Sequence, residues 1–327
     1  MDFMMKILYL ISEIRCGFLD FVFENVTHLG EETLFLAISI FIFWCVDKRR
    51  GYYALFTGLV GTALNQALKL ALKIPRPWVY DESFVPVGDS KIEATGYSFP
   101  SGHTQNVGST FGCIARSSKS RPVRVFSISL ILLVGFSRMY LGVHTLLDVL
   151  VSLVISAALV LLLYRFFDTE EHFEKSMPYI VIASFVISLS LLLYVFLTGR
   201  EGVDEANLYS AMKNSTTLFG CMIGLAPVYF LDKRYIKFKT DGKWYAQIIK
   251  LALGLCGVML IKSGLSSPLV ALFGNEFVAR AVRYFLIVCF AGIIWPMTFK
   301  YFGNLEIDFL DSFSEKISRI FKSKKAE

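Results

Sequence analysis

A polytopic all-α bundle that crosses a membrane about nine times is expected from three properties of this chain. Apolar residues make up 55% of its 327 positions and charged residues only 18%, against about 45–50% and about 25% in soluble domains. Its mean hydropathy is +0.56. Its apolar residues, about 180 of them, suffice for roughly nine spans of about 20 residues each. An ordinary soluble globule, a disordered chain and a disulfide-stapled secreted domain are thereby excluded.

The segment 5–27 interleaves apolar residues with Glu13, Arg15, Asp20 and Glu24. That pattern suits an interfacial amphipathic helix better than a span or a signal peptide. Spans are then expected at 31–47, 52–73, 102–116, 123–141, 144–166, 178–198, 207–231, 246–264 and 277–299. The third is weak by hydropathy, because 101–112 is rich in Ser, Thr, Asn and Gly, yet both flanks require a crossing. Gly108 and Gly112 give it a small-residue face for close packing. The organisation expected is an interfacial helix at 1–30, a six-helix core at 31–198, and three further spans with a basic tail at 199–327. The six cysteines (Cys16, Cys45, Cys113, Cys221, Cys256 and Cys289) form no C-x-x-C pair and are read as buried apolar fillers.

Loop charge sets the orientation. Lys48-Arg49-Arg50, then Arg116, Lys119, Arg121 and Arg124, then Lys233 to Lys243, and the tail Lys316–Lys325 fall on one side of the alternating spans. That side is assigned as cytoplasmic, with the N-terminus outside. The net charge of +6 is read as this orientation signal, and no nucleic-acid partner is expected. On the opposite side cations cluster at Lys69, Lys73, Arg76 and Arg138. Snorkelling explains any one of them alone. An unpaired cation at membrane depth costs roughly 2.5–3.5 kcal/mol, so several converging suggest an anion between them. Lys262, Glu276, Arg280 and Arg283 gather near the outer ends of the last two spans. They are read either as snorkelling with a salt bridge or as a second anion site or substrate vestibule.

Three segments on that outer face carry the chemistry. In Lys69-x6-Arg76-Pro77, the lysine lies about two helical turns before an arginine stiffened between two prolines. The guanidinium offers phosphate a bidentate fork and the lysine a point charge. In Pro100-Ser101-Gly102-His103, Ser101 is an N-cap and Gly102 lets a ligand approach free N–H groups at a helix start. In Ser137-Arg138-x5-His144-x3-Asp148, the i, i+4 spacing puts His144 and Asp148 on one helical face. Asp148 there accepts the Nδ1–H of His144 and leaves Nε2 basic as a nucleophile.

Together the three segments resemble the complete signature of the type-2 phosphatidic acid phosphatase and vanadium haloperoxidase superfamily, over about residues 52–166. The membrane spans favour its integral lipid-phosphatase branch. The resemblance implies that His144 attacks phosphorus and becomes a phosphohistidine, with Asp148 orienting it. His103 would protonate the leaving group and then activate water. Lys69, Arg76, Ser101, Gly102 and Arg138 would hold the phosphate oxygens. Three cations stand where other enzymes place a metal, so no metal and no cofactor are expected. A site at the outer interface suits an amphiphile, hence a lipid phosphate or a polyprenyl diphosphate, at the outer face of a bacterial plasma membrane. The tail Lys324-Lys325-Ala326-Glu327 and the sequons at Asn25 and Asn214 would instead fit an endoplasmic reticulum with a lumenal site. The alternatives are a glucose-6-phosphatase-like hydrolase of a soluble sugar phosphate, or an inactive lipid-binding or transport protein.

Overall fold

The computed structural model describes residues 1–198 and 202–306, and among these the chain is helical with no strand. The tail Lys316–Lys325 and the terminal Lys324-Lys325-Ala326-Glu327 lie outside the described residues. The N-terminal segment forms two helices rather than one, α1 (Asp2–Ser12) and α2 (Gly17–Thr27). The Tyr9 hydroxyl donates to Asp81 at 3.0 Å, and the Cys16 N–H donates to the Tyr140 hydroxyl at 3.3 Å. The pair therefore lies folded across the outer loops.

Next come α3 (Glu32–Phe41), continued by a wide turn through Val46, and α4 (Lys48–Leu72), whose N-cap Asp47 accepts from the Arg50 N–H. Two short helices, α5 (Pro77–Tyr80) and α6 (Ser90–Glu93), punctuate the loop before α7 (Gly102–Ser117). Then follow α8 (Arg121–Tyr140), α9 (Leu146–Tyr164), α10 (Glu170–Leu193) and α11 (Glu205–Leu231). The chain continues with α12 (Trp244–Gly264), α13 (Ser266–Phe273), α14 (Glu276–Cys289) and α15 (Phe299–Gly303).

Helix stands at all nine expected positions, but length and composition establish fewer crossings. Among the described residues seven helices are long and apolar enough to span, and an eighth is obtained only if 17–30 and 32–46, bent by 54°, count as one span. The 16 residues of α7 reach only about 24 Å, short of the roughly 30 Å hydrocarbon layer. Its polar residues are tolerated because α4, α8 and α9 enclose it. Close packing there uses the glycines as expected. A Cβ on Gly112 would come within 2.9 Å of Val160, and one on Gly108 within 2.8 Å of the Ser156 Cβ. The C-terminal helices make a second packing unit in which α11 lies against α14, α10 and α4.

The two ends of the bundle differ in charge. At one end Lys48 pairs with Asp232 at 2.6 Å, Lys233 with Glu174 at 3.2 Å, and the Thr240 hydroxyl donates to the Val46 carbonyl. From there α4 carries the chain about 37 Å to Lys69 and Arg76 at the other end. The cysteines depart in part from expectation. All six are free, but only Cys113 and Cys221 are buried, and Cys16, between α1 and α2, and Cys256 are exposed.

Candidate active site

The loops at the far end of α4 bring together residues from four separated stretches. Arg138 ends α8, and the chain then reverses through Gly142, whose φ of +77° is the left-handed conformation that glycine adopts without strain. His144 follows, just before α9 begins. The sequence places His144 inside a helix, one turn before Asp148. Instead Thr145 is the N-cap, and Asp148 is its capping-box partner. The Thr145 N–H donates to Asp148 Oδ2 at 2.8 Å. That bond, rather than a shared helical face, sets the carboxylate 3.4 Å from His144 Nδ1. The Ser98 hydroxyl donates to the same Oδ2 at 2.6 Å and lies 3.5 Å from His144 Nδ1.

The other ring nitrogen, His144 Nε2, sits 3.0 Å from Arg76 Nη1. A guanidinium only donates, so Nε2 accepts and the ring proton is on Nδ1, toward Asp148. His144 is 2% exposed. Burial, then the charges of Arg76, Arg138 and Lys69, push its pKa well below the ordinary imidazole value. The ring is thus held neutral with its lone pair on Nε2.

Both cations of the first segment are fixed by one stretch of backbone. Arg76 donates to the carbonyls of Thr95 at 2.8 Å, Gly96 at 3.0 Å and Val143 at 2.9 Å. Lys69 donates to the carbonyls of Tyr97 and Ser98. Four successive carbonyls, 95–98, therefore orient the two charges without neutralising either. Arg138 arrives from the opposite side, where its Nη1 donates to the Thr27 hydroxyl while its buried Nε has no hydrogen-bond partner.

Ser101 caps α7, accepting from the Thr104 N–H at 3.4 Å and the Thr104 hydroxyl at 2.9 Å. Its own N–H donates to the Asp148 carbonyl at 3.2 Å, and Ser152 donates to its carbonyl at 2.9 Å, which docks the start of α7 on α9. His103, in the first turn of α7, has the cations Arg138 and Arg76 and the His144 ring as neighbours. Gly102 is open on one side, where a Cβ would meet only Asn65 Oδ1 at 4.0 Å.

All eight residues singled out in the sequence thus fall within one cluster. Sequence reasoning missed Ser98, Thr27 and Asn65, together with the carbonyls of 95–98. Ser98 lies only two residues before the Pro100-Ser101 segment, but nothing in its spacing marks it. The remaining histidines pair elsewhere: His28 with Glu31, and His172 with Asp168 at 2.7 Å. Among the described residues no group of three or more His, Cys, Asp or Glu is placed to hold a metal ion.

Residues 50–171 match the family model of the PAP2 superfamily, and residues 216–306 match a second, that of the PAP2 superfamily phosphatase transmembrane extension. The chain belongs to the PAP2 superfamily. Both matches make it an integral membrane protein of the phosphatase kind. This PAP2 protein is 28% identical over 175 residues to phosphatidylglycerophosphatase B of Bacillus subtilis (strain 168), covering 50% of this chain and 82% of that one. It is 32% identical over 136 residues to undecaprenyl-diphosphatase BcrC of the same organism, covering 41% and 66%. With sphingosine-1-phosphate phosphatase 2 of Mus musculus it shares 26% over 186 residues, covering 54% of this chain and 51% of the mouse protein. The match thus spans about half the length of that mouse relative. The crystal structure of a transmembrane PAP2-type phosphatidylglycerolphosphate phosphatase from Bacillus subtilis aligns with a TM-score of 0.42 at 27% identity, over 50% of this chain and 84% of that one.

Proposed function

We propose that this PAP2 protein is a metal-independent phosphatase that cleaves a lipid phosphate or polyprenyl diphosphate through a phosphohistidine on His144. The observation that carries the reading is the state of that ring. Its Nδ1–H points at a carboxylate 3.4 Å away, and its Nε2 lone pair points at a guanidinium 3.0 Å away. Nε2 attacks phosphorus in line, and the P–O bond to the leaving group breaks. His103 gives that oxygen its proton, then takes one from the water that cleaves the P–N bond. Asp148 balances the positive charge that His144 acquires. Lys69, Arg76 and Arg138 surround the phosphoryl oxygens, with the unpartnered Arg138 Nε as a ready donor. Ser101 and the N–H of Gly102 complete the cradle.

The lipid class is supported by what the relatives are named for: phosphatidylglycerophosphate, undecaprenyl diphosphate and sphingosine 1-phosphate. The non-cytoplasmic placement of the site rests on the basic loops lying at the opposite end of the bundle. In this reading residues 31–198 hold the chemistry, 1–30 brace it from the interface, and 199–327 add helices beyond the core.

The test is phosphate release by the detergent-purified protein in excess EDTA. The substrates are a polyprenyl diphosphate, phosphatidate, a sphingoid-base phosphate and glucose 6-phosphate. Release from one of the three lipids, abolished in His144→Ala, with an acid-labile phosphoprotein trapped in the wild type, is the expected result. Turnover of glucose 6-phosphate alone removes the lipid assignment. No His144-dependent release from any of the four removes the enzyme reading in favour of binding or transport.

A further inference from the structure

Three cavities lie end to end from the site into the bundle. The outermost, about 670 Å³, opens beside Arg76 and runs past Tyr97 and Lys213 to Asn214. Asn214 also lines the second, about 100 Å³, whose wall includes Asn65, Gly102 and Gln105. The second shares Glu32, Leu36, Leu59 and Cys221 with the third, about 280 Å³. That innermost cleft separates α3 and α4 from the C-terminal helices α11, α12 and α14. Its walls are mostly aliphatic and aromatic, with Leu225, Val258, Ile287 and Ala291 along the C-terminal side, and Glu32, Thr33 and Lys262 are its polar members.

We propose that this cleft receives the hydrocarbon tail of the substrate, so that the C-terminal helices set which chain lengths are accepted. The inference rests on the lipid-phosphatase reading and adds to it a place for the tail. The path changes character as an amphiphile does, charged beside Arg76, polar in the middle where the amides stand with Glu32, and largely hydrocarbon at depth. Its narrow middle holds two buried amide oxygens without donors, Asn65 Oδ1 and Gln105 Oε1. Their NH2 groups are already used, by the Pro100 carbonyl at 3.2 Å and the Ser109 hydroxyl at 3.3 Å. Two vacant acceptors suit a hydroxyl or amine on the linker between phosphate and tail. Measured along α4 from Asn65 to Tyr52, the path descends about 20 Å, more than the roughly 15 Å of one leaflet. A short chain therefore leaves the cleft largely unfilled and forgoes most of the burial it offers.

The experiment compares kcat/KM for hexyl and hexadecyl monoesters of one head group, in the same mixed micelles, for wild type, Val258→Trp and Ala291→Phe. Both substitutions narrow the cleft far from His144. Expected is a loss of roughly tenfold or more on the long ester with less than about twofold on the short one. Equal losses on both, or none on either, overturn the proposal. A second measurement needs no variant: a hexadecyl phosphonate with a diazirine at its tail end is photo-crosslinked to the wild type. Adducts are expected within 221–228, 255–262 and 284–292. Adducts confined to the outer faces of α8 and α9 overturn the assignment. If the wild type cleaves neither ester, the phosphatase reading fails by itself, and the adduct map still decides the cleft.

Discussion

Ser98 gives the carboxylate of Asp148 a charge-assisted hydrogen bond at 2.6 Å while sitting 3.5 Å from the ring that the carboxylate orients. Such bonds contribute about 1.5–3 kcal/mol. Ser98→Ala is expected to lower kcat roughly tenfold to a hundredfold with little change in KM. An unchanged kcat would reduce Ser98 to a packing residue. The pH dependence follows from His144 itself. Attack needs the neutral ring, and burial beside three cations depresses its pKa. As pH falls, the neutral form therefore persists below the usual imidazole value of about 6.5. The acid limb of kcat/KM is expected to lie below that value in a pH–rate profile, and a limb above it would contradict the environment described. Five of the eight candidate residues were legible as cations or histidines at a membrane boundary, and Ser101, Gly102 and Asp148 by their spacing from those histidines. The carbonyls of 95–98 were not, since every residue carries one and only the folded loop aims them. Ser98 was hidden for a related reason, because a serine in a loop has no periodicity to violate.

At the scale of helices, α7 is the polar strut on which the site stands. It begins at the site with Ser101 and is clamped on α9 by glycines that leave no room for a side chain. Gly112→Leu would force a branched chain against Val160, where even a Cβ comes within 2.9 Å. Overpacking of this kind costs about 1–3 kcal/mol. A lower thermal midpoint in detergent is expected, together with lost activity, since tilting α7 moves His103. An unshifted midpoint would mean that the two helices can part freely. Eight of the nine helical positions were readable from apolar run length, and α7 only from the crossing its flanks require. The break at 13–16 was not, because Glu13, Ile14 and Arg15 carry no helix-stopping residue and the turn is set by contacts to Tyr140 and Val85. The start of α9 was misplaced for a similar reason. A histidine and an aspartate four apart read as one helical face, whereas Thr145 claimed the cap and Asp148 closed it.

Across the whole molecule, the basic loops and the chemistry lie at opposite ends, which yields a sidedness expectation. In a cysteine-free background, Ser83→Cys in the loop beside α1 should react with an impermeant maleimide on intact cells. Ser118→Cys, between α7 and α8, should react only after permeabilisation. The reverse pattern would invert the topology and put the site in the cytoplasm. Loop charge gave this division, whereas the internal cleft lay beyond reach of sequence because it is a gap between helices far apart in the chain. The Thr27 hydroxyl that holds Arg138 lies outside both stretches that match the superfamily models, 50–171 and 216–306. It also precedes its arginine by 111 residues. Synthesis runs from the N-terminus, so α2 leaves the ribosome well before the arginine it clasps. A nascent chain halted before residue 138 lacks the arginine of this clasp, and one halted before 148 lacks the carboxylate beside His144. All the residues of the candidate site are thus made before half of the 327-residue chain, while the helices from α10 onward are still to come.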